Sequence, residues 1–158
     1  YLSFYKNYYN INYIILRYAN VFGERQGNSG EGGVVSVFMK NIITDKTSFI
    51  NGVGTNTRDY VYVKDVADAN FKALDCNVSD VFNISTGTET SANLLVELIK
   101  RVTGTDSKFV HRDAIKGEQK RSCLDNNKAN SVLGWKPIFK LEDGLKNTYE
   151  WFKSCNAR

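Results

Sequence analysis

The chain has 158 residues, 42% of them hydrophobic and 13% aromatic, with 21 basic and 17 acidic side chains and a net charge of +4. One domain's worth of apolar residues excludes a disordered chain, and the interleaving of the two charge signs argues against a nucleic-acid face. No apolar run approaches the roughly 20 residues of a membrane helix, and a lone histidine, His111, argues against a histidine-based zinc site.

Tyr1 to Tyr9 reads as the end of a helix rich in aromatic residues, and a chain that opens inside a helix, on a residue other than Met, is expected to be part of a longer one. Asn10-Ile11-Asn12 breaks that helix. Tyr13 to Arg17 is a nearly continuous apolar run, the pattern of a buried parallel strand. Asn20 to Gly33 is rich in Gly, Asn and Ser and reads as a loop. From Val34 to Thr44 apolar residues return at helical spacing, at Val34, Val35, Phe38 and Ile42. Phe49-Ile50 is a short strand entering a Gly52-Val53-Gly54 turn. Tyr60 to Val63 is rich in β-formers, and Asp65 is expected to N-cap a helix over Val66 to Leu74. Val81 to Ile84 predicts a second buried strand. Ser91 caps a helix from Ala92 to about Val102, ended by Gly104. Lys108 to His111 predicts a strand, Asn126 to Leu133 a short helix closed by Gly134, and Leu141 to Phe152 the last helix. Strands alternating with helices indicate α/β architecture.

Cys76, Cys123 and Cys155 are widely spaced and odd in number, which reads as reduced thiols in a cytoplasmic protein. The run Gly27-Asn28-Ser29-Gly30-Glu31-Gly32-Gly33 has dinucleotide-type glycine spacing. It does not open a helix directly after the predicted strand, and no acidic ribose ligand follows at the end of a second strand, so it is expected to be a flexible loop. Tyr60 with Lys64 and Tyr149 with Lys153 have the four-residue spacing of a tyrosine–lysine catalytic pair. The first pair falls on a strand and turn, the second on an aromatic helix face, and both read as structural.

Leu16-Arg17-Tyr18-Ala19-Asn20-Val21-Phe22-Gly23-Glu24-Arg25-Gln26 resembles the stretch after the sixth strand of NAD-dependent sugar epimerases in the extended short-chain dehydrogenase/reductase family. Most relatives have proline where Glu24 stands. Gly30 to Phe38 resembles the substrate loop and helix that follow. Asn51-Gly52-Val53-Gly54 followed by Thr57-Arg58-Asp59-Tyr60-Val61-Tyr62-Val63-Lys64-Asp65-Val66-Ala67 is the strongest likeness. Phe82-Asn83-Ile84-Ser85-Thr86-Gly87 resembles the seventh strand and its glycine turn, and Gly117-Glu118, Arg121-Ser122, Leu124-Asp125 and Leu133-Gly134-Trp135-Lys136-Pro137 complete the series in order. Within the family the wording is most like that of UDP-glucose 4-epimerases.

The resemblance implies the last parallel strands of a Rossmann-like sheet, from residues 1–17 and about 81–90, with the remainder forming a small α/β substrate-binding domain. The family's glycine fingerprint and catalytic Tyr and Lys precede the position of Tyr1, so no catalytic residue is assigned and NAD is expected to be held mainly by an N-terminal half absent here. The implied reaction oxidises the sugar transiently at C4, lets the keto-sugar swing about its diphosphate, and returns hydride to the other face. The implied ligand is a UDP-sugar, and the complete enzyme is expected to be a homodimer. Arg58 is expected to grip the diphosphate with its planar fork, and Asn20 to reach the sugar and diphosphate. Val34, Val35 and Phe38 would line the nucleotide pocket, with Phe49 and Ile50 as the opposite wall. Glu118 would accept from a ribose hydroxyl. Where the family has a phosphate arginine three residues before that acid this chain has Ile115, so Arg112 either reaches in from a shifted loop or the contact is lost. A related 4,6-dehydratase, a UDP-glucuronate decarboxylase, and a non-catalytic nucleotide-binding or interaction module remain open alternatives.

Overall fold

The computed structural model describes residues 1–27 and 32–156. Its elements are α1 (Leu2–Tyr9), β1 (Ile14–Tyr18), β2 (Asn20–Phe22), α2 (Val34–Ile43), β3 (Ser48–Asn51), β4 (Thr57–Arg58) and β5 (Tyr60–Tyr62). There follow α3 (Val63–Leu74), β6 (Asp80–Ile84), β7 (Thr90–Ser91), α4 (Ala92–Thr103), β8 (Phe109–Arg112), β9 (Arg121–Ser122), α5 (Asn127–Leu133) and α6 (Leu141–Asn156). No helix among the described residues is long and apolar enough to cross a membrane.

The strands form small sheets. β1 runs parallel to β6, with Ile14 opposite Asp80 and Tyr18 opposite Ile84. β2 pairs in parallel with β5, and β3 with β8. β4 lies between β7, antiparallel, and β9, parallel. β6 buries Phe82 and Ile84 as expected, but β1 buries none of its residues and exposes Arg17 and Tyr18. The apolar run therefore marked a strand correctly and its burial incorrectly, because among the described residues β1 has a strand neighbour on one side only.

β5 organises the core. All of its residues are buried, and a strand sends alternate side chains to opposite faces. Tyr60 and Tyr62 enter a cluster built from Phe22, the buried side of α2, Leu95 and Ile99 of α4, and Leu145 and Phe152 of α6. Val61 enters the other cluster with Val66, Phe82, Ile84, Leu133 and Trp135. Helix α2 buries Val35, Phe38, Met39 and Ile42 at the spacing of one helix face.

Two local expectations fail for identifiable reasons. The stretch after Ala19 is not all loop: β2 forms because Asn20, Val21 and Phe22 find the buried strand β5 beside them. Asp65 does not cap α3, which begins at Val63 with Tyr62 as an N-cap without a side-chain bond. Instead Asp65 is buried and accepts from the amides of Ile138 (2.9 Å) and Phe139 (3.3 Å), while its carbonyl accepts from the Trp135 indole at 2.9 Å. Burial pushes the Asp65 carboxyl up, and those two amides pull it back in part. Three other caps follow sequence rules: Ser91 accepts from the Leu94 amide, and Gly104 and Gly134 end α4 and α5 in the left-handed region.

Candidate functional site

A cleft of about 140 Å³ opens where α2, β3, β4 and β5 converge, and Val34, Phe38, Ile50, Arg58, Tyr60 and Glu118 line it together with Phe49, Asn51, Asn56 and Ala92. That volume falls below the roughly 300–1,000 Å³ of a complete ligand pocket, so the cleft suits one part of a longer ligand. On its apolar side Phe38 is 2% exposed and Ile50 5%, whereas Phe49 is half exposed. Its polar side holds Arg58, Asn51, Asn56 and Glu118.

Arg58 is fixed by its strand. In β4 it stands opposite Thr90 on one side and Ser122 on the other, and its Nη1 donates to the Thr57 carbonyl at 2.8 Å. Among the described residues no carboxylate forms an ion pair with it. The two acids that could have neutralised it are engaged elsewhere. Asp65 holds the segment at Ile138 and Phe139, and Asp59 is buried, accepting from the Thr86 amide (2.9 Å), the Thr86 hydroxyl (2.7 Å) and the Gly87 amide (2.9 Å). Glu89 supports β4 from outside, accepting from Thr57 at 2.7 Å and from Arg121 at 2.6 Å. The guanidinium therefore keeps most of its donors for a ligand.

A recess beside the cleft is lined by Asn20, Gln26, Gly33, Val34, Val35 and Tyr60, and so shares Val34 and Tyr60 with it. Asn20 is exposed at the start of β2, held by its amide bond to the Asp59 carbonyl at 2.9 Å. Helix α2 starts here on Gly33, an extended N-cap without a side-chain bond. Uncapped amides at a helix N-terminus favour an anion. Val35 lines the recess but is 1% exposed and belongs to the core cluster. Burial pushes the Tyr60 hydroxyl up to about 12, against the opposing pull of Arg58, so Tyr60 is a neutral wall at ordinary pH.

Glu118 sits half-buried in the cleft, with Oε2 accepting from Asn56 at 3.1 Å and Oε1 from Asn51 at 3.5 Å. Arg112 does not line the cleft. Its Nε donates to Asn51 Oδ1 at 2.7 Å, and its guanidinium lies over the Phe49 ring at 5.8 Å. The structure thus brings Val34, Phe38, Ile50, Arg58 and Glu118 together, sets Asn20 and Val35 in the neighbouring recess, and places Arg112 outside, behind Asn51. Asn51, Asn56 and Asp59 were not singled out as site residues by sequence reasoning. The available signal was their place in the glycine turn and beside Arg58, where polar side chains rarely stand without a partner.

The residues of the other motifs have structural partners. Asn83 and Ser85 donate to the carbonyls of Asp125 and Leu124, which is turn chemistry. Lys64 pairs with Glu24 at 3.4 Å, and Glu24 accepts from the Tyr62 hydroxyl at 2.7 Å. Tyr149 packs on the core. The Cys123 thiol donates to Asp59, and burial with that carboxylate pushes it up, away from a thiolate. In the glycine run, residues 28–31 lie outside the described residues. Among the described residues, Gly23 to Gln26 separate β2 from the run, and the Gln26 amide stands 2.8 Å from where a Cβ on Gly33 would be. A larger concavity of about 500 Å³ between β1 and α3 has no charged side chain in its lining.

A family model described as NAD dependent epimerase/dehydratase family matches residues 1–85. A putative UDP-glucose 4-epimerase of Methanocaldococcus jannaschii is 44% identical over 156 residues, covering 99% of this chain and 50% of that protein. The crystal structure of a UDP-glucose 4-epimerase from Thermotoga maritima with UDP-glucose superposes with a TM-score of 0.94 at 44% identity, over 99% of this chain and 50% of that one. A UDP-N-acetylglucosamine 4-epimerase from Methanobrevibacter ruminantium, in complex with UDP-N-acetylmuramic acid, gives 0.93 at 33% identity, over 98% and 50%. The chain spans about half the length of these relatives.

Proposed function

The chain belongs to the NAD dependent epimerase/dehydratase family, and from that premise we propose that it is the nucleotide-sugar-binding portion of a UDP-glucose 4-epimerase-like enzyme. The observation that carries the reading is the cleft itself: an arginine with no carboxylate partner among the described residues shares it with an apolar slot and a hydrogen-bonded acid. The slot of Val34, Phe38 and Ile50 takes the base, Glu118 accepts from the ribose, and Arg58 holds the diphosphate. The uncapped start of α2 and Asn20 share the adjoining recess and would meet the diphosphate as it passes toward the sugar.

Such a site anchors one end of the substrate and leaves the other free. Its binding energy is spent on the nucleotide, and a ring held only through its diphosphate can turn over between oxidation and reduction. NAD would supply the hydride acceptor from residues outside this chain. In this reading β1 and β6 are the edge of a Rossmann-like sheet and the rest is the substrate subdomain. The aromatic face of α1, where Phe4 stacks on Tyr8 at 4.4 Å, would be covered within a homodimeric, cytoplasmic enzyme.

The reading makes affinity depend on the nucleotide and not on the sugar. Calorimetry on this chain should give UDP, UDP-glucose and UDP-galactose dissociation constants within about threefold of one another, a difference under ~1 kcal/mol. Galactose 1-phosphate should not bind, and the chain with added NAD should not interconvert the two sugar nucleotides. Binding led by the hexose, or turnover by the chain alone, would contradict it.

A further inference from the structure

The placement of Arg112 behind Asn51 has a consequence for which nucleotides the cleft accepts, and it rests on the nucleotide-binding reading above. β3 and β8 are parallel, and their register sets Asn51 beside Arg112. Paired residues on adjacent strands project to the same face of a sheet. The end of this ladder is pinned twice, by the Gly52 amide on the Arg112 carbonyl at 2.8 Å and by the His111 ring on the Gly52 carbonyl at 2.8 Å. The Phe49 ring then supports the guanidinium from the side.

A terminal amide has two nearly isosteric orientations, and its neighbours select one. Arginine only donates, so the bond from Arg112 Nε forces Oδ1 of Asn51 to face it. The amino group of Asn51 must then turn the other way, to Glu118 Oε1, while Asn56 holds Oε2. Each carboxylate oxygen thus faces one donor, Asn56 at 3.1 Å and Asn51 at the longer 3.5 Å. An ionised carboxyl has about four acceptor sites, so one on each oxygen remains for a ligand. Two adjacent acceptors match the vicinal 2′- and 3′-hydroxyls of a ribose. A 2′-deoxyribose satisfies only one of them.

We propose that Arg112 is a positioning residue: through Asn51 it sets Glu118 to read the ribose diol, and so makes the site selective for ribonucleotide-linked sugars over their deoxyribonucleotide counterparts. In this arrangement Arg112 is not a diphosphate ligand, and Arg58 carries that contact from this side of the cleft.

The test is titration of the chain and its variants with UDP and with 2′-deoxy-UDP. The unaltered chain should prefer UDP by about tenfold, the scale of one hydrogen bond to a charged group. Arg112→Ala should bring UDP down toward the deoxy ligand and leave the deoxy ligand's affinity nearly unchanged. Asn51→Asp keeps an acceptor for Arg112 but removes the donor to Glu118, and should do the same, as should Glu118→Gln. Arg112 is exposed, so its truncation leaves the core intact, and a melting curve checks the fold of each variant. If Arg112→Ala weakens both ligands equally, Arg112 holds phosphate and the relay is overturned. If the variants keep the full preference for UDP, or the unaltered chain shows none, the diol reading is overturned while the nucleotide site stands. If the unaltered chain binds neither ligand, the nucleotide-binding reading itself fails.

Discussion

Replacing Arg58 by alanine removes the one cleft-lining cation of the described residues, and its cost can be worked from the geometry. One guanidinium N–H is spent on the Thr57 carbonyl at 2.8 Å, and among the described residues no carboxylate competes for the rest. A hydrogen bond to a charged group contributes about 1.5–3 kcal/mol. Parallel bonds from one fork share a single desolvation step, so that range is taken once for the side chain. The dissociation constant for UDP should therefore rise roughly 10- to 150-fold. Arg58→Lys keeps the charge but loses the planar fork and should fall between. Raising the salt concentration should weaken the unaltered chain more than Arg58→Ala, because screening acts on the pair that the variant lacks. The assay is calorimetry with UDP, with a melting curve as control, since Arg58 is held in β4 between Thr90 and Ser122. An unchanged affinity in a folded Arg58→Ala chain would refute the placement of the diphosphate.

Gly144 meets β2 and β5 without room for a side chain: a Cβ there would lie 2.7 Å from Phe22 Cζ and 3.0 Å from Tyr62 Cδ2. Gly144→Ala should destabilise the chain by about 1–3 kcal/mol in denaturant unfolding despite the better helix propensity of alanine. The Glu24 carboxyl would be raised by burial, but the Tyr62 hydroxyl, with its own backbone and Lys64, holds it below its usual 4.5. A carboxyl lowered in the fold contributes stability above its unfolded value and loses it as pH falls through the folded one. The melting-temperature gap between the unaltered chain and Glu24→Gln should thus be widest near neutral pH and close below about pH 4.5. In a spectrophotometric alkaline titration, Tyr60→Phe should remove a tyrosine that ionises near 12 rather than near the ordinary 10.0.

Periodicity and capping chemistry were legible wherever a local rule governs. The buried face of α2, the Ser91 cap and the Gly104 stop are all decided within a turn or two of chain. β2, β4, β7 and β9 were not legible, because two or three residues without the β-former run of β5 are strands only through their partners. Asp65 shows the same limit from the other side. Its type and position suit an N-cap, yet the long-range amides of Ile138 and Phe139 claim it. At the site, the family resemblance pointed to Arg58, Glu118, Phe38 and Ile50, which the fold gathers in one cleft. Arg112 was legible as an arginine near the acid, but its direction was not. The register of β8 on β3 turns it toward Asn51, and register is a property of two strands whose paired residues stand 61 positions apart, out of view of any local pattern.

The most direct measurement is a crystal structure of this chain with UDP bound. It should show the diphosphate within hydrogen-bond distance of the Arg58 guanidinium, the uracil ring against Phe38 and Ile50, and the ribose on Glu118. Density for UDP in the concavity between β1 and α3, or a diphosphate turned away from Arg58, would contradict the account.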